Sequence, residues 1–175
     1  MALKRPVAVR KLLLSRLFNN FMRGKTPKRN IIPDLKYNSI NITRFINHIM
    51  RRGKKSTAQK VVYDCFDIIK EQTKKDPLEV FDGAIKNVGP EVEVKSRRIG
   101  GGNYQIPIAV IGGRRTALAF RWITAAAHAR KGVPMRQKLA DEIIAAYNRE
   151  GAAVKKRQDT YKMAEANRAF AHFAR

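Results

Sequence analysis

The chain has 175 residues, 44% of them hydrophobic, and its 37 Lys and Arg against 14 Asp and Glu give a net charge of +23. This length suits one globular domain with extended arms. The single Cys excludes an internal disulfide framework and favours a reducing compartment, and no apolar run approaches the ~20 residues that cross a bilayer. Because so large an imbalance of charge destabilises a chain through self-repulsion, we predict a polyanion as its partner.

The basic residues are concentrated in two segments that contain no acidic residue. Residues 1–30 hold nine basic residues, and residues 94–140 hold ten. The segments 31–93 (11 basic, 9 acidic) and 141–175 (7 basic, 5 acidic) are nearly balanced. Since a solvated surface normally mixes both signs of charge, this separation favours two regions that contact a polyanion.

Three helices are predicted before residue 90. The first has apolar residues at positions i, i+3, i+4, i+7 and i+8 within residues 42–50. A capping box of Ser56 and Gln59 is predicted to start the second helix. Asp76 and Pro77 supply an N-cap and a proline at the first position of the third.

Two short strands around a glycine turn are predicted at about residues 91–111. Val92 and Val94 alternate in the first strand, and the alternating residues of the second are Tyr104, Ile106, Ile108 and Val110. An isolated hairpin is marginal in water. We therefore expect another element or another molecule to hold it.

Three further helices follow, at about residues 114–130, 135–150 (ended by Gly151) and 155–173. The fold prediction is mostly α, with about six helices, one protruding β-hairpin and a basic N-terminal arm. We divide the chain into the arm at residues 1–38 and a single helical domain at residues 39–175.

The sequence patterns for catalysis are weak. The segment "GKKST" at Gly53 lacks the first glycine of a P-loop, because His48 stands in its place. The triple glycine at 100–102 precedes a strand, whereas nucleotide-binding loops open a helix. Cys65 lies in an apolar stripe and the three His are far apart. We predict no enzyme activity, no metal, no cofactor and no small-molecule substrate.

Nucleic-acid binding is the function that these observations favour. Arg114, Arg121 and His128 recur at seven-residue intervals, so they share one stripe of a helix. The planar guanidinium of Arg suits phosphate oxygens. Further basic residues lie near the predicted turn and at the start of the helix after it: Lys95, Arg97, Arg98 and Arg115. Two strands and a helix around a basic surface fit a folded RNA better than a duplex groove.

Three other functional classes are alternatives. A helical DNA-binding regulator would use residues 40–52 and 56–74, although Asp64, Asp67 and Glu71 make the second a poor recognition helix. A membrane-surface protein would be anchored by residues 10–23. An enzyme that acts on phosphates would require nucleotide turnover, which no motif supports.

Four segments carry a family resemblance: "GKKSTA", "NVGPEVEVKSRRIGGGNYQIPIAV", "RRTALAFRWI" and "AVKKRQDTYKMAEANRAFAHF". They closely resemble the bacterial-type small-subunit ribosomal protein number seven, the uS7 family, from about residue 32 to the C-terminus. The resemblance implies a six-helix domain with a β-ribbon. It also implies a primary binder of 16S-type rRNA that docks on the 3′ major domain and nucleates assembly of the head. Proteins number nine and number eleven are the implied neighbours, and the hairpin would be held by RNA and neighbouring protein.

The resemblance also implies which residues contact RNA. The hairpin tip, Gly100, Gly101, Gly102 and Asn103, would lie near the exit-site tRNA and the mRNA path. The basic residues of the implied rRNA surface are Lys4, Arg5, Arg10, Lys11, Lys28 and Arg29 in the arm, Lys95, Arg97, Arg98, Arg114, Arg115 and Arg121 around the hairpin, and Lys155, Lys156 and Arg157 before the last helix.

The 30 residues before the "IIPD" segment form a longer start than typical bacterial members have. Leu14, Leu17, Phe18 and Phe21 make an apolar helical stripe there, ended by Gly24. An Arg-rich amphipathic start resembles an organellar transit peptide, and the alternative, which we favour, is a retained extension packed on rRNA or a neighbour. The predicted location is the cytoplasmic ribosome, with a mitochondrial or plastid ribosome as the alternative.

Overall fold

The computed structural model describes residues 30–174 of the chain. Within that range six α-helices and one antiparallel hairpin confirm the mostly α prediction, and residues 1–29 of the predicted basic arm lie outside the described residues. The elements are α1 (Ile40–Ile49), α2 (Lys55–Thr73), α3 (Pro77–Val88), β1 (Val92–Ile99), β2 (Gly102–Ala109), α4 (Gly113–Ala129), α5 (Met135–Tyr147), α6 (Ala152–Ala166) and a 3₁₀ segment (Arg168–Ala174).

The helices pack around one apolar core from residue 32 onward. Four rings from α1, α2, α3 and α4 meet there, with centroid distances of 5.1 Å for Phe45–Phe81, 5.2 Å for Phe45–Phe120 and 5.4 Å for Phe66–Phe81. Tilted rings at these distances stabilise a core beyond the effect of area burial. Cys65 lies in the same core, where burial raises the pKa of its thiol.

The two predicted helix starts have different outcomes. Asp76 caps α3 through its side chain, and Pro77 takes the first helical position, as predicted. The capping box at Ser56 is wrong, because α2 begins at Lys55, its N-cap position is Lys54, and no side chain caps it. The Gln59 amide instead donates to the Tyr63 hydroxyl, one helical turn further on, at 2.7 Å.

Residues at the end of the predicted arm contact the helical core. The Tyr63 hydroxyl of α2 donates to the Asp34 carboxylate at 2.9 Å. The ring of Tyr37 lies edge-on to Phe66, with 5.3 Å between their centroids. These contacts attach residues 34–37 to α2.

A buried carboxylate binds the N-terminal turn of α6. Oε1 of Glu142, in α5, accepts a hydrogen bond from the backbone N–H of Ala153 at 2.9 Å, and its Oε2 lies 3.2 Å from Nη2 of Arg130. Gly151 has a φ of 92°, and a Cβ there would lie 2.9 Å from Oε1 of Glu142. Both the backbone conformation and the carboxylate therefore require glycine at this position.

The C-terminal end differs from the predicted single helix over residues 155–173. α6 ends at Ala166, and the side-chain amide of Asn167 donates to the carbonyl of Met163 at 2.7 Å. The 3₁₀ segment that follows packs against β2. Because the helix stops here, the aromatic residues of the last turn reach the hairpin.

Candidate nucleic-acid interface

The strand register divides the hairpin into two faces. Arg97 pairs with Tyr104, and Arg98 pairs with Asn103. Because successive side chains in a strand point to opposite sides, Arg97 and Tyr104 lie on one side, here called the inner face. Arg98 and Asn103 lie on the other, the outer face. Two neighbouring arginines are therefore presented to different surroundings.

The inner face is covered by the C-terminal 3₁₀ segment. The ring centroid of Tyr104 lies 5.2 Å from that of Phe170 and 6.1 Å from that of Phe173. Nη1 of Arg97 donates to the carbonyl of Phe173 at 3.3 Å, and Ile106 is fully buried. The hypothesis that RNA and neighbouring protein hold the hairpin is therefore incomplete, because the chain's own C-terminal segment supports this face.

A carboxylate joins the hairpin to α4. Oε1 of Glu93 lies 3.0 Å from Nζ of Lys95, and its Oε2 lies 3.0 Å from Nη2 of Arg114. Partial burial would raise the pKa of Glu93, but the hydrogen bonds from these two cations outweigh burial and lower it. Lys95 and Arg114 keep about half of their side-chain surface exposed, so both remain accessible to a second anion.

Two of the predicted RNA-binding arginines also hold the end of α3. Nε of Arg115 donates to the carbonyl of Gly89 at 3.2 Å, and its Nη2 lies 3.5 Å from Oε1 of Glu91. Arg157 donates to the carbonyl of Asn87 and is half-buried. The last carbonyls of a helix have no partner within the helix, so these arginines satisfy them just before the hairpin begins.

The predicted stripe on α4 lies beside a second basic row that sequence analysis did not identify. Arg114, Arg121 and His128 all fall within α4. Nη2 of Arg51 lies 3.0 Å from Nε2 of His128, and Arg121 acts electrostatically on His48 of α1. We call the residues of these rows the α1/α4 basic face: Arg44, His48, Arg51, Arg121 and His128.

The α1/α4 basic face is locally positive. Burial and Arg121 lower the pKa of His48, while burial, Arg51 and Lys138 lower that of His128. Within residues 30–174, no carboxylate lies within ion-pair distance of Arg121 or Arg51. The α4 stripe from Arg114 to His128, of which only Arg121 and His128 belong to this face, is about 21 Å long at 1.5 Å per helical residue.

The missed row on α1 had a signal in the sequence. Arg44 and His48 lie one turn apart on the side of α1 opposite its apolar residues, and Arg51 follows just beyond the end of that helix, after Met50 leaves the helical conformation. The spacing alone does not reveal a function, since many exposed helix faces are polar. Its meaning comes from the packing of α1 against α4, through Phe45 and Phe120.

The remaining predicted site residues within residues 30–174 are exposed, except Gly102, which is half-buried. Arg98, Lys155 and Lys156 are open to solvent. The tip residues Gly100 and Gly101 have positive φ values of 56° and 89°, and a Cβ at either would meet nothing within 4 Å. Glycine is therefore required there by the backbone turn. The predicted residues of the arm, Lys4, Arg5, Arg10, Lys11, Lys28 and Arg29, lie outside the described residues.

In residues 30–174, no group of three or more His, Cys, Asp or Glu is arranged to hold a metal ion. None of the helices in that range is both long and apolar enough to cross a membrane.

Comparison with known proteins identifies the family. The family model described as "Ribosomal protein S7p/S5e" matches residues 21–168. Over 151 residues, 86% of this chain and 97% of the relative, the chain is 58% identical to small ribosomal subunit protein uS7 of Thermotoga petrophila. It is 55% identical, with the same coverage of both chains, to the protein of that name from Treponema denticola. The chain therefore belongs to the ribosomal protein S7p/S5e family, as its sequence predicted.

Proposed function

We propose that this chain is a structural, non-catalytic protein of the small ribosomal subunit that binds 16S-type rRNA. The contacts would come from the α1/α4 basic face and from the outer face of the hairpin. The observation that most directly supports RNA binding is that Arg121 and Arg51 lie on one surface, and neither has a carboxylate partner in residues 30–174. The names of its relatives support the ribosomal assignment.

The proposed rRNA surface divides its cations between two tasks. Arg98, Arg121, Lys155 and Lys156 are exposed and would contact phosphates directly, through charge-assisted hydrogen bonds. The remaining cations, which also have protein partners, would add contacts through their exposed sides: Lys95, Arg97, Arg114, Arg115 and Arg157. In the arm, Lys4, Arg5, Arg10, Lys11, Lys28 and Arg29 would extend the surface.

We further propose that the chain is a primary rRNA binder, which docks on the 3′ major domain and nucleates assembly of the head. The length of the hairpin supports the proposal that its tip contacts other molecules. Each strand has eight residues, so the arm is about 26 Å long at 3.3 Å per residue. Its tip, Gly100 to Asn103, would lie near the exit-site tRNA and the mRNA path. Neighbouring proteins would be number nine and number eleven.

The salt dependence of binding tests this proposal. Affinity of the full chain for a transcript of the 3′ major domain would be measured by filter binding between 50 and 300 mM KCl. With six to nine neutralised phosphates, the slope of log K against log salt should be about −5 to −8. A flat response would contradict the phosphate contacts.

A competition assay separates RNA binding from the DNA-binding alternative. Unlabelled duplex DNA of matched length should displace the labelled transcript only at a concentration at least about tenfold above that of unlabelled transcript, since a folded RNA presents shape and splayed bases as well as phosphates. Equal competition by the two nucleic acids would favour a general DNA-binding protein instead.

A further inference from the structure

A small cavity opens where α1, α2, α4 and α5 meet, at one end of the α1/α4 basic face. Its volume is about 200 Å³. Four apolar residues line it, of which three are only half-buried: Ile49, Ala58, Val61 and Met135. That volume corresponds to about seven water molecules. Apolar walls offer such waters few hydrogen bonds, so a flat apolar group of similar size would displace them favourably.

The remaining lining of the cavity is cationic and rich in hydrogen-bond donors. It includes Arg51, Lys54 and His128. Arg51 and His128 are joined at 3.0 Å. Because a guanidinium can only donate, Nε2 of His128 must accept, so its proton lies on Nδ1. The cavity therefore combines apolar walls with groups that favour phosphate and the polar edges of a base.

We propose that this cavity receives a single unstacked nucleobase of the bound RNA. The apolar side chains would contact the base, while Arg51 and Lys54 would bind its edge or the adjoining phosphate. Bases splayed out of single-stranded segments are the usual targets of RNA-binding proteins that recognise sequence. An apolar protein side chain would fill the walls but leave the cations unpaired, so charge favours a nucleotide.

This inference rests on the proposed function and makes it more specific. Phosphate contacts along α4 would bind any suitably shaped RNA. A base in the cavity would instead require an unpaired nucleotide at one position of the RNA. The protein would then distinguish its rRNA site from a continuous duplex.

Methyl NMR of the full-length chain tests the cavity without any substitution. The chain would be titrated with AMP and, as the matched control, with ribose 5-phosphate. We expect AMP to shift the methyl signals of Ile49, Val61 and Met135 through the ring current of the base, with little effect from ribose 5-phosphate. The methyl signals of Ile68, seven residues further along α2, should not move.

Two results of that titration would overturn the proposal. If AMP at tens of millimolar left the three methyl signals unchanged, the cavity would not bind a base. If ribose 5-phosphate produced the same shifts as AMP, the site would recognise phosphate only. Neither result depends on rRNA binding, so failure here is distinguishable from failure of the proposed function.

A filled cavity gives a second test on the rRNA itself. Val61→Phe places a ring in the cavity, and Ile68→Phe adds a ring elsewhere on α2 as its matched control. We expect Val61→Phe to weaken binding to the 3′ major-domain transcript about tenfold, the usual loss when a stacked base is displaced, and Ile68→Phe to change it less than twofold. If Val61→Phe and Ile68→Phe both folded and bound the transcript with equal affinity and a normal salt slope, the cavity would not bind a base. The proposed function would be unaffected by that result.

Discussion

Arg97 and Arg98 are adjacent and carry the same charge, yet the structure places them in different surroundings. Arg97 lies on the inner face of the hairpin, where it donates to the carbonyl of Phe173 at 3.3 Å and shares its face with Tyr104. Arg98 lies on the outer face beside Asn103, and both arginines are exposed to solvent. One arginine helps to attach the hairpin to the C-terminal segment, while the other is presented outward.

The same division applies to the other cations around the hairpin. Lys95 and Arg114 share the carboxylate of Glu93, and Arg157 binds the end of α3. Arg121, by contrast, has no carboxylate within ion-pair distance among residues 30–174. Some cations therefore position the interface, and others are available to form it.

The largest effect is expected when the charges of two exposed arginines are reversed in the same variant. Arg98→Glu with Arg121→Glu should weaken binding to the 3′ major-domain transcript about 10²- to 10⁴-fold, since each charged hydrogen bond contributes about 1.5–3 kcal/mol. Filter binding would measure the loss. The melting temperature should change by less than about 2 °C, because exposed substitutions rarely affect stability.

A matched double reversal outside the proposed interface controls for net charge. Lys70→Glu with Lys86→Glu changes the charge equally at two exposed positions on α2 and α3. We expect a much smaller loss of affinity, caused only by the weaker long-range field. Equal losses for the two double variants would show that total charge, rather than the positions of Arg98 and Arg121, determines binding.

The next effect concerns the inner face. Tyr104→Ala removes the ring contacts with Phe170 and Phe173, which should lower the free energy of hairpin opening by about 1–2 kcal/mol. Hydrogen exchange of the strand amides should then be about tenfold faster. Gln105→Ala, on the outer face, is the matched control. If both substitutions left exchange unchanged, the C-terminal segment would not support the hairpin.

A smaller effect is expected at Glu93, with a defined pH dependence. Its pKa is lower in the folded chain than in the unfolded one, so its stabilising effect is present above the unfolded pKa and is lost as pH falls through the folded pKa. Glu93→Gln should reduce the free energy of unfolding by about 1 kcal/mol at pH 7, and by less at pH 3. Urea denaturation at both pH values would measure this difference.

Glu91→Gln provides the comparison for that experiment. The side chain of Glu91 is 70% exposed, against 12% for Glu93, and its single ion pair is weakened by solvent. We expect almost no change in the free energy of unfolding at either pH. The free energy of unfolding should differ less between Glu93→Gln and the unsubstituted chain at pH 3 than at pH 7. A difference that became larger at pH 3 would contradict the lowered pKa of Glu93.

The smallest effect is expected from His48. Burial and Arg121 lower its pKa, so the imidazole is neutral at pH 7, whereas bound phosphates would favour the charged form. Lowering the pH from 7.5 to 5.5 should therefore raise the affinity of the unsubstituted chain for the transcript. The rise should be about two- to threefold larger than the rise for His48→Gln. His172→Gln, in the C-terminal segment, should behave like the unsubstituted chain. Filter binding at the two pH values would decide.

The sequence by itself determined a mostly α fold with one hairpin, and it predicted a polyanion as the partner. Apolar residues at helical spacing predict buried stripes because the period of a helix is a local property, and α1 and α2 followed it. Asp76 and Pro77 act on their own helix start, so that cap was predictable. The separation of the basic residues into two acid-free segments is likewise a property of the sequence alone.

Only the tertiary structure decided which cations face outward. Arg97 and Arg98 differ because the register pairs one with Tyr104 and because α6 ends early enough for Phe170 to reach that ring. The row on α1 became significant because Phe45 packs on α4. Contacts between residues distant in the chain depend on where the helices pack, and local spacing carries no information about that.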